Sequence, residues 1–174
     1  MIDIQFDDST VAAAFARLAE AGANLRPFMA DVGELLSETT KQRFATSTSP
    51  DGTPWEPNTP LTITLFLNRF GGSYKKDGGL SKKGEKRAGG KKPLIGETGA
   101  LSTTISYQAG PDFVVIGSPM VYAGTQQFGA KARSFAGGRS PWGDIPARPF
   151  LGISNDDERG ILDLAMEHLD AAAS

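Results

Sequence analysis

Residues 144–154 read Asp-Ile-Pro-Ala-Arg-Pro-Phe-Leu-Gly-Ile-Ser, and this stretch decides the fold. Each of its two prolines fixes its own φ and favours an extended conformation in the residue before it, so the chain is not helical here. Because proline has no N–H to give to a sheet, the stretch predicts an edge strand. Phe150 supplies an apolar anchor, and Arg148 carries five donors that need partners. We therefore expect Arg148 to pair with carboxylates or backbone carbonyls and to anchor this strand near residues 122–128.

The chain before this segment begins with predicted helices. Residues 2–6 alternate apolar and polar side chains, as a half-buried strand does. A helix is expected from residue 8 or 9 to about residue 20, ended by Gly22. A second helix is expected over about 24–44, where apolar residues recur with the 3.6-residue period. We interpret these apolar stripes as core.

Trp55 follows the turn Pro50-Asp51-Gly52 and lies between two prolines. A tryptophan in a loop either covers the core or anchors an interface. We favour the core position slightly. Thr59 and Pro60 then predict the start of a short helix.

The second half of the chain predicts a small sheet and a closing helix. Residues 103–108 and 113–117 form a predicted hairpin, and residues 122–128 a helical turn that ends at Gly129. Ser154 caps a final helix whose expected buried stripe is Ile161, Leu162, Ala165 and Leu169. His168, near the end of that helix, is expected at the surface. The sequence thus predicts one α+β domain over 1–174, with N-terminal helices packed on a small antiparallel sheet, a long flexible basic loop and a C-terminal helix.

The net charge of −2 conceals a strong asymmetry. Residues 69–92, which we call the basic arm, carry a net charge of +7, and the rest of the chain carries −9. The arm is rich in glycine and poor in apolar residues, which predicts a flexible segment. Its candidate contact residues for phosphate or for a partner are Lys75, Lys76, Lys82, Lys83, Lys86, Arg87, Lys91 and Lys92.

Three interpretations of the basic arm remain open. Its lysines are suited to neutralising phosphates without reading bases, which gives non-specific contact with DNA. The arm is alternatively a solvated loop with no partner of its own. In a head-to-tail ring it would instead lie on the acidic body of a neighbouring copy.

The composition disfavours several classes of function. There is no cysteine, and the single histidine leaves no His-rich zinc site. The sequence contains no Gly-x-Ser-x-Gly nucleophile motif and no paired acids at the spacing of a metal site. We predict a non-enzymatic protein without metal or cofactor. No apolar run is long enough to span a membrane, and the N-terminus lacks the pattern of a signal peptide. The absence of cysteine fits a protein that assembles in the cytoplasm.

Four stretches, in order, resemble the phage virion morphogenesis family, the tail completion proteins of Mu-like and related contractile-tailed phages. They are Ser-Pro-Asp-Gly-Thr-Pro-Trp at 49–55, Glu-Thr-Gly-Ala-Leu at 97–101, Gly-Ser at 117–118 with Tyr-Ala-Gly-Thr-Gln-Gln-Phe-Gly at 122–129, and Ile-Pro-Ala-Arg-Pro-Phe-Leu-Gly at 145–152. Gln126 is a departure, because the family often carries histidine there.

The resemblance implies a protein of the finished tail. Such proteins act at the head-proximal end of the tail and allow it to join the head, first in the host cytoplasm and then as part of the virion. The implied partners are other phage tail or neck proteins and further copies of this chain in a homo-oligomeric ring. The motif residues expected at interfaces are Trp55, Tyr122, Gln127, Phe128, Arg148 and Phe150. A DNA-binding module that uses the basic arm is the alternative function.

Overall fold

A computed structural model describes residues 16–17, 19–20, 22–96, 98–134 and 143–173. Its helices are α1 (Arg26–Thr46), α2 (Pro60–Asn68), α3 (Lys82–Gly90), α4 (Ala100–Thr103), α5 (Ala123–Phe128) and α6 (Asn155–Ala173), and its strands are β1 (Ser106–Ala109) and β2 (Val114–Gly117). The α+β prediction is confirmed: the described part combines helices with one two-stranded antiparallel sheet. The strand expected at 2–6 and the start of the first predicted helix lie outside the described residues.

The chain divides into two compact units, each described here by itself. The first unit comprises the described residues within 1–39, 106–117 and 153–174. In it, Gly33 of α1 lies against the ring of Tyr107, where an added Cβ would come within 2.2 Å of Cδ2. The Tyr107 hydroxyl donates to Glu34 at 3.3 Å. Helix α1 thus packs against the hairpin at Gly33, where there is no room for a side chain.

The hairpin forms where the sequence predicts it. Tyr107 pairs with Ile116 and Gln108 with Val115. The Gly110 amide donates to the Phe113 carbonyl at 2.8 Å and closes the turn. Strand β1 begins at residue 106 rather than 103, because residues 100–103 form helix α4.

Helix α6 begins at its predicted cap. The Ser154 hydroxyl accepts from the Asp157 amide at 3.1 Å, while the Asp157 carboxylate accepts from the Ser154 amide at 2.7 Å. This is a reciprocal capping arrangement, and it explains why Asp157 is fully buried.

The predicted buried stripe of α6 is wrong in part. Leu162 and Leu169 are exposed, whereas Leu164 is half-buried and Gly160 packs against Leu35 of α1. His168, expected at the surface, is half-buried, and its ring lies 5.9 Å from that of Phe28. The helix is apolar on two faces, and the sequence alone did not show which one packs.

The second unit comprises residues 40–105 and 118–152, as far as they are described. Its apolar core is formed by Phe44, Trp55, Leu67, Leu101, Ile105 and Phe150. Helix α2 starts as predicted, with the Thr59 hydroxyl accepting from the Thr62 amide at 3.2 Å and Pro60 in the first turn.

The basic arm, which was expected to be a flexible loop, contains regular secondary structure. Tyr74 and Leu80 form an antiparallel bridge around a tight turn, and α3 follows directly. The Ser81 hydroxyl caps α3 by accepting from the Gly84 amide at 3.1 Å. Ser81 was the sequence signal for the start of this helix. It was overlooked because the high glycine and lysine content of the arm favoured the prediction of a flexible loop. Flexibility of the arm in solution stays a prediction.

The segment 143–152 is extended but is not a regular edge strand. It forms one backbone bridge, between Ile145 and Ala130. This bridge brings it against Gly129, which follows α5 with φ 72° and ψ 177°. A Cβ on Gly129 would lie 2.7 Å from the Ile145 oxygen and 2.8 Å from the Ala147 nitrogen.

Gly129→Ala is expected to destabilise the protein by more than about 2 kcal/mol, because this backbone region is essentially restricted to glycine and both close atoms belong to the backbone. The matched control is Gly124→Ala within α5, where an added Cβ meets nothing within 4 Å. That change should stabilise slightly, since alanine favours a helix. Chemical denaturation of both variants measures the difference in their free energies of unfolding. Equal stabilities would contradict the close packing of residues 145–147 against Gly129.

Candidate interaction surface

Three of the sequence motifs meet at residues 148–152, and side chains hold this segment in place. Arg43 of α1 donates to the carbonyls of Phe150 and Gly152, both at 2.9 Å. The Trp55 indole donates to the Pro149 carbonyl at 2.8 Å. Two distant side chains thus satisfy carbonyls that a neighbouring strand would satisfy in a sheet.

The side chain of Gln127 also takes the place of a neighbouring strand. Its Oε1 accepts from the amides of Phe150 at 2.9 Å and Leu151 at 3.0 Å, and its Nε2 donates to the Leu151 carbonyl at 2.9 Å. A primary amide carries both an acceptor and donors, as a peptide group does. Gln127 therefore acts as one peptide unit of a missing neighbouring strand.

Arg148 pairs with backbone carbonyls, although not those of 122–128. Its Nε donates to the Glu56 carbonyl at 2.7 Å and its Nη2 to the Pro57 carbonyl at 3.0 Å. Its backbone amide makes the link to α5, donating to the Gln126 carbonyl at 2.8 Å. Burial lowers the pKa of Arg148, and the charge of Glu56 opposes that shift. The guanidinium stays charged at neutral pH, since free arginine titrates far above it.

An aromatic cluster underlies these hydrogen bonds. The ring of Phe44 lies 5.3 Å from that of Trp55, edge to face, and 5.3 Å from that of Phe150. Trp55 and Phe150 are buried. Trp55 therefore occupies the core position that we favoured, and four of the six motif residues (Trp55, Gln127, Arg148 and Phe150) form an internal framework.

The other two motif residues are exposed. Phe128 is 81% exposed, and Tyr122 is 42% exposed next to Val121, which is 99% exposed. Side chains of this size and polarity seldom face water together without a partner. These residues, not the buried ones, are available to another molecule.

A groove of about 940 Å³ lies beside the framework. Leu61 and Leu65 of α2 line it and are exposed, and its apolar lining also includes Ile95, Val121 and Tyr122. Sequence analysis predicted the start of α2 but did not identify Leu61 and Leu65 as surface residues.

The basic arm contributes to a second cleft, of about 520 Å³, that shares Lys91, Ile95 and Gly96 with the groove. Some of its cations are engaged within the chain: Arg87 donates to the Gly71 carbonyl at 3.1 Å, Lys91 to the Ile95 carbonyl, and Lys92 to the Ala45 carbonyl at 2.5 Å. The remaining five candidate cations are exposed, namely Lys75, Lys76, Lys82, Lys83 and Lys86. These five lysines present positive charge to solvent.

Arg43 is the framework residue that sequence analysis missed. It is buried and lies seven residues after Leu36 and one before Phe44, on the packed face of α1. A charged residue on an apolar helix face signals a buried hydrogen-bond donor, and that signal was present in the sequence.

The described residues bring no three His, Asp or Glu side chains together in a group that could bind a metal ion. None of the helices in the described part of the chain is long and apolar enough to cross a membrane. The arrangement is that of a hydrogen-bonded framework beside an open apolar groove.

Comparison with known proteins defines the class. The model of the phage virion morphogenesis family matches residues 6–170, so the chain belongs to this family. Its members are structural proteins of phage assembly and are not a known class of enzyme, and the role of this chain is in virion assembly.

Two curated proteins are similar to the chain. One is the putative capsid assembly protein G of Escherichia phage Mu, 34% identical over 74 residues, which cover 42% of this chain and 45% of the Mu protein. The other is the Mu-like prophage FluMu G protein 2 of Haemophilus influenzae, 27% identical over 164 residues, which cover 94% of this chain and 92% of that protein. No solved structure matches the chain.

Arg148→Lys is expected to lower the free energy of unfolding by about 1–3 kcal/mol, because one ammonium cannot satisfy two buried carbonyls in the geometry of the guanidinium fork. Arg26→Lys, at an exposed arginine of α1, is the control and should leave stability unchanged. Thermal unfolding monitored by circular dichroism gives the comparison. Equal melting temperatures for the two variants would show that the carbonyl contacts of Arg148 contribute nothing.

Gln127→Glu is expected to cost at least about 2 kcal/mol at neutral pH, because a carboxylate keeps the two acceptor bonds but places negative charge against the Leu151 carbonyl. Protonation restores a donor, so this defect should shrink below about pH 4. Gln126→Glu, at a position that lines the groove, is the matched control. Denaturant titrations at both pH values test this, and a defect that does not depend on pH would refute the role of Nε2.

Proposed function

We propose that this chain is a tail completion protein, which acts at the head-proximal end of the phage tail and makes the tail competent to join the head. The proposal is supported by membership of the virion morphogenesis family and by the four motifs that the chain shares with tail completion proteins. We infer a non-enzymatic role, exerted in the host cytoplasm during assembly and afterwards within the virion.

One observation carries the mechanism: a rigid, internally hydrogen-bonded framework borders an apolar groove that is open to solvent. A joining protein has to present a fixed surface to partners that arrive already assembled. Hydrogen bonds of Gln127 and Arg148 fix the position of α5, and α5 follows the exposed Val121 and Tyr122. Partner contact at the groove would thus involve little loss of conformational freedom.

The partners in this proposal are other tail or neck proteins and further copies of the chain in a homo-oligomeric ring. A ring subunit contacts its neighbours through two different surfaces, because head-to-tail contacts are heterologous. The name of the phage Mu relative refers to capsid assembly, so a role in building the head is the competing assignment.

Non-specific contact with DNA through the basic arm is a second candidate. It is favoured by the exposed position of Lys82, Lys83 and Lys86 on or beside one turn of α3, a regular helix that holds them together. Lysines in such an array would neutralise phosphates, so retention on DNA would fall steeply with salt concentration. Assembly onto tails that does not depend on salt would favour the first candidate instead.

The test is removal of the gene from a phage or prophage that carries it, followed by negative-stain imaging of the particles. We expect DNA-filled heads and full-length tails that are not joined, with joining restored by the wild-type chain in trans. Missing or aberrant heads beside normal tails would assign the protein to capsid assembly. Joined virions in normal number would contradict both assignments.

A further inference from the structure

Helix α6 carries an apolar surface that nothing in the described part of its unit covers. Leu162, Met166 and Leu169 are 63%, 64% and 53% exposed. They are spaced i, i+4 and i+7, which places them on one face of the helix, roughly opposite the half-buried Leu164. We call these three residues the α6 seam. A seam of this spacing is how an amphipathic helix enters a groove on another protein.

Acidic side chains border the α6 seam. Glu158 and Asp163 are exposed and flank the α6 seam on its two sides, and the helix as a whole contains six acids and one arginine. The seam therefore combines an apolar centre with a strongly negative border. Its partner surface should be an apolar groove with a positive border.

The groove of the second unit has these properties. Its apolar part is lined by the exposed Leu61, Leu65 and Val121. The adjoining cleft adds Lys83 and Lys86, and these lysines border the groove where the two cavities share Ile95. One acid, Asp144, also lines the groove, but its charge is paired with Lys131 at 3.1 Å.

We propose that the α6 seam of one copy of the chain docks in the groove of the next copy. The two surfaces are different, so the contact is heterologous and leaves a free seam and a free groove at the ends of any open assembly. Repetition of this contact generates the ring if the rotation closes. The proposal rests on the ring inferred above and specifies its contact.

The charges favour a second copy as the occupant rather than an unrelated protein. Both complementary surfaces are present on this single chain, and the basic arm of +7 coexists with a remainder of −9. Copies aligned head to tail would bring the opposite charges together at every interface. Copies related by a two-fold axis, with groove against groove, would bring the lysines of α3 together, which is unfavourable.

Disulfide trapping between singly substituted copies tests this contact, and the absence of native cysteine makes the experiment clean. Leu61→Cys and Met166→Cys chains with tags of different size are mixed under mild oxidation. We expect the mixed disulfide to exceed either homodimer by about tenfold, because docking raises the local concentration of the two thiols. The matched control replaces Met166→Cys by Val115→Cys, at an equally exposed apolar position on the hairpin, and should give no excess.

Reversing the charges tests the positive border separately. Lys83→Glu with Lys86→Glu should reduce the yield of mixed disulfide about tenfold, and Glu158→Lys with Asp163→Lys in the partner copy should restore it. Loss without restoration would mean that these side chains do not face one another. A mixed disulfide no more abundant than the control, or a dominant Leu61→Cys homodimer, would overturn the proposal.

The result is independent of whether the chain completes tails. If gene removal leaves virions joined while the disulfide forms, the function fails and the contact stands. If gene removal separates heads from tails but Leu61→Cys is trapped only on a different phage protein, the function stands and the contact between copies fails.

Discussion

Burial of an extended, proline-containing segment is the constraint on which the second unit depends. A segment with prolines at 146 and 149 cannot complete a regular sheet, yet its backbone polar groups need partners once water is excluded. Among the described residues, seven hydrogen bonds from elsewhere in the unit reach the backbone of residues 148–152, and six of them involve the side chains of Arg43, Trp55 and Gln127. Each of these bonds alone contributes modestly, but each group left unpaired would cost about 1–3 kcal/mol. The segment is therefore stable only when all three side chains are in place.

The need for hydrogen-bond partners in this segment explains the structural role of the sequence motifs. The Trp motif, the Gln-Gln-Phe-Gly motif and the proline segment are far apart in sequence, and they meet because each supplies donors or acceptors that another lacks. Gly129 belongs to the same arrangement, since the proline segment passes too close for any side chain there. The buried framework in turn leaves Val121, Tyr122 and Phe128 exposed at its edge. These neighbours of the framework, rather than the buried motif residues themselves, are accessible to other molecules.

Helix ends and the hairpin could be predicted from the sequence, whereas contacts between residues far apart in the chain could not. Thr59, Gly129 and Ser154 mark helix ends because each acts on its own backbone or on the next few residues, and the hairpin around Gly110 follows equally local rules. In contrast, Arg43 lies 107 residues from Phe150, so no short-range pattern pairs them. Helix α6 is apolar on two faces, and only packing against α1 decides which is buried. The basic arm was predicted as structureless from its composition, whereas contacts of Arg87 with Gly71 and with the ring of Phe70 support its helix.

Native-state hydrogen exchange at the amides of Arg148, Phe150 and Leu151 tests the central claim most directly. These amides donate to Gln126 and to the side chain of Gln127, and they belong to no helix or regular strand. If the side-chain framework holds the segment, their exchange should require opening of the whole unit and match the slowest amides of α1 in free energy. Exchange at the rate of an exposed loop, with α1 still protected, would show that residues 148–152 open independently. The framework would then not be what the second unit depends on.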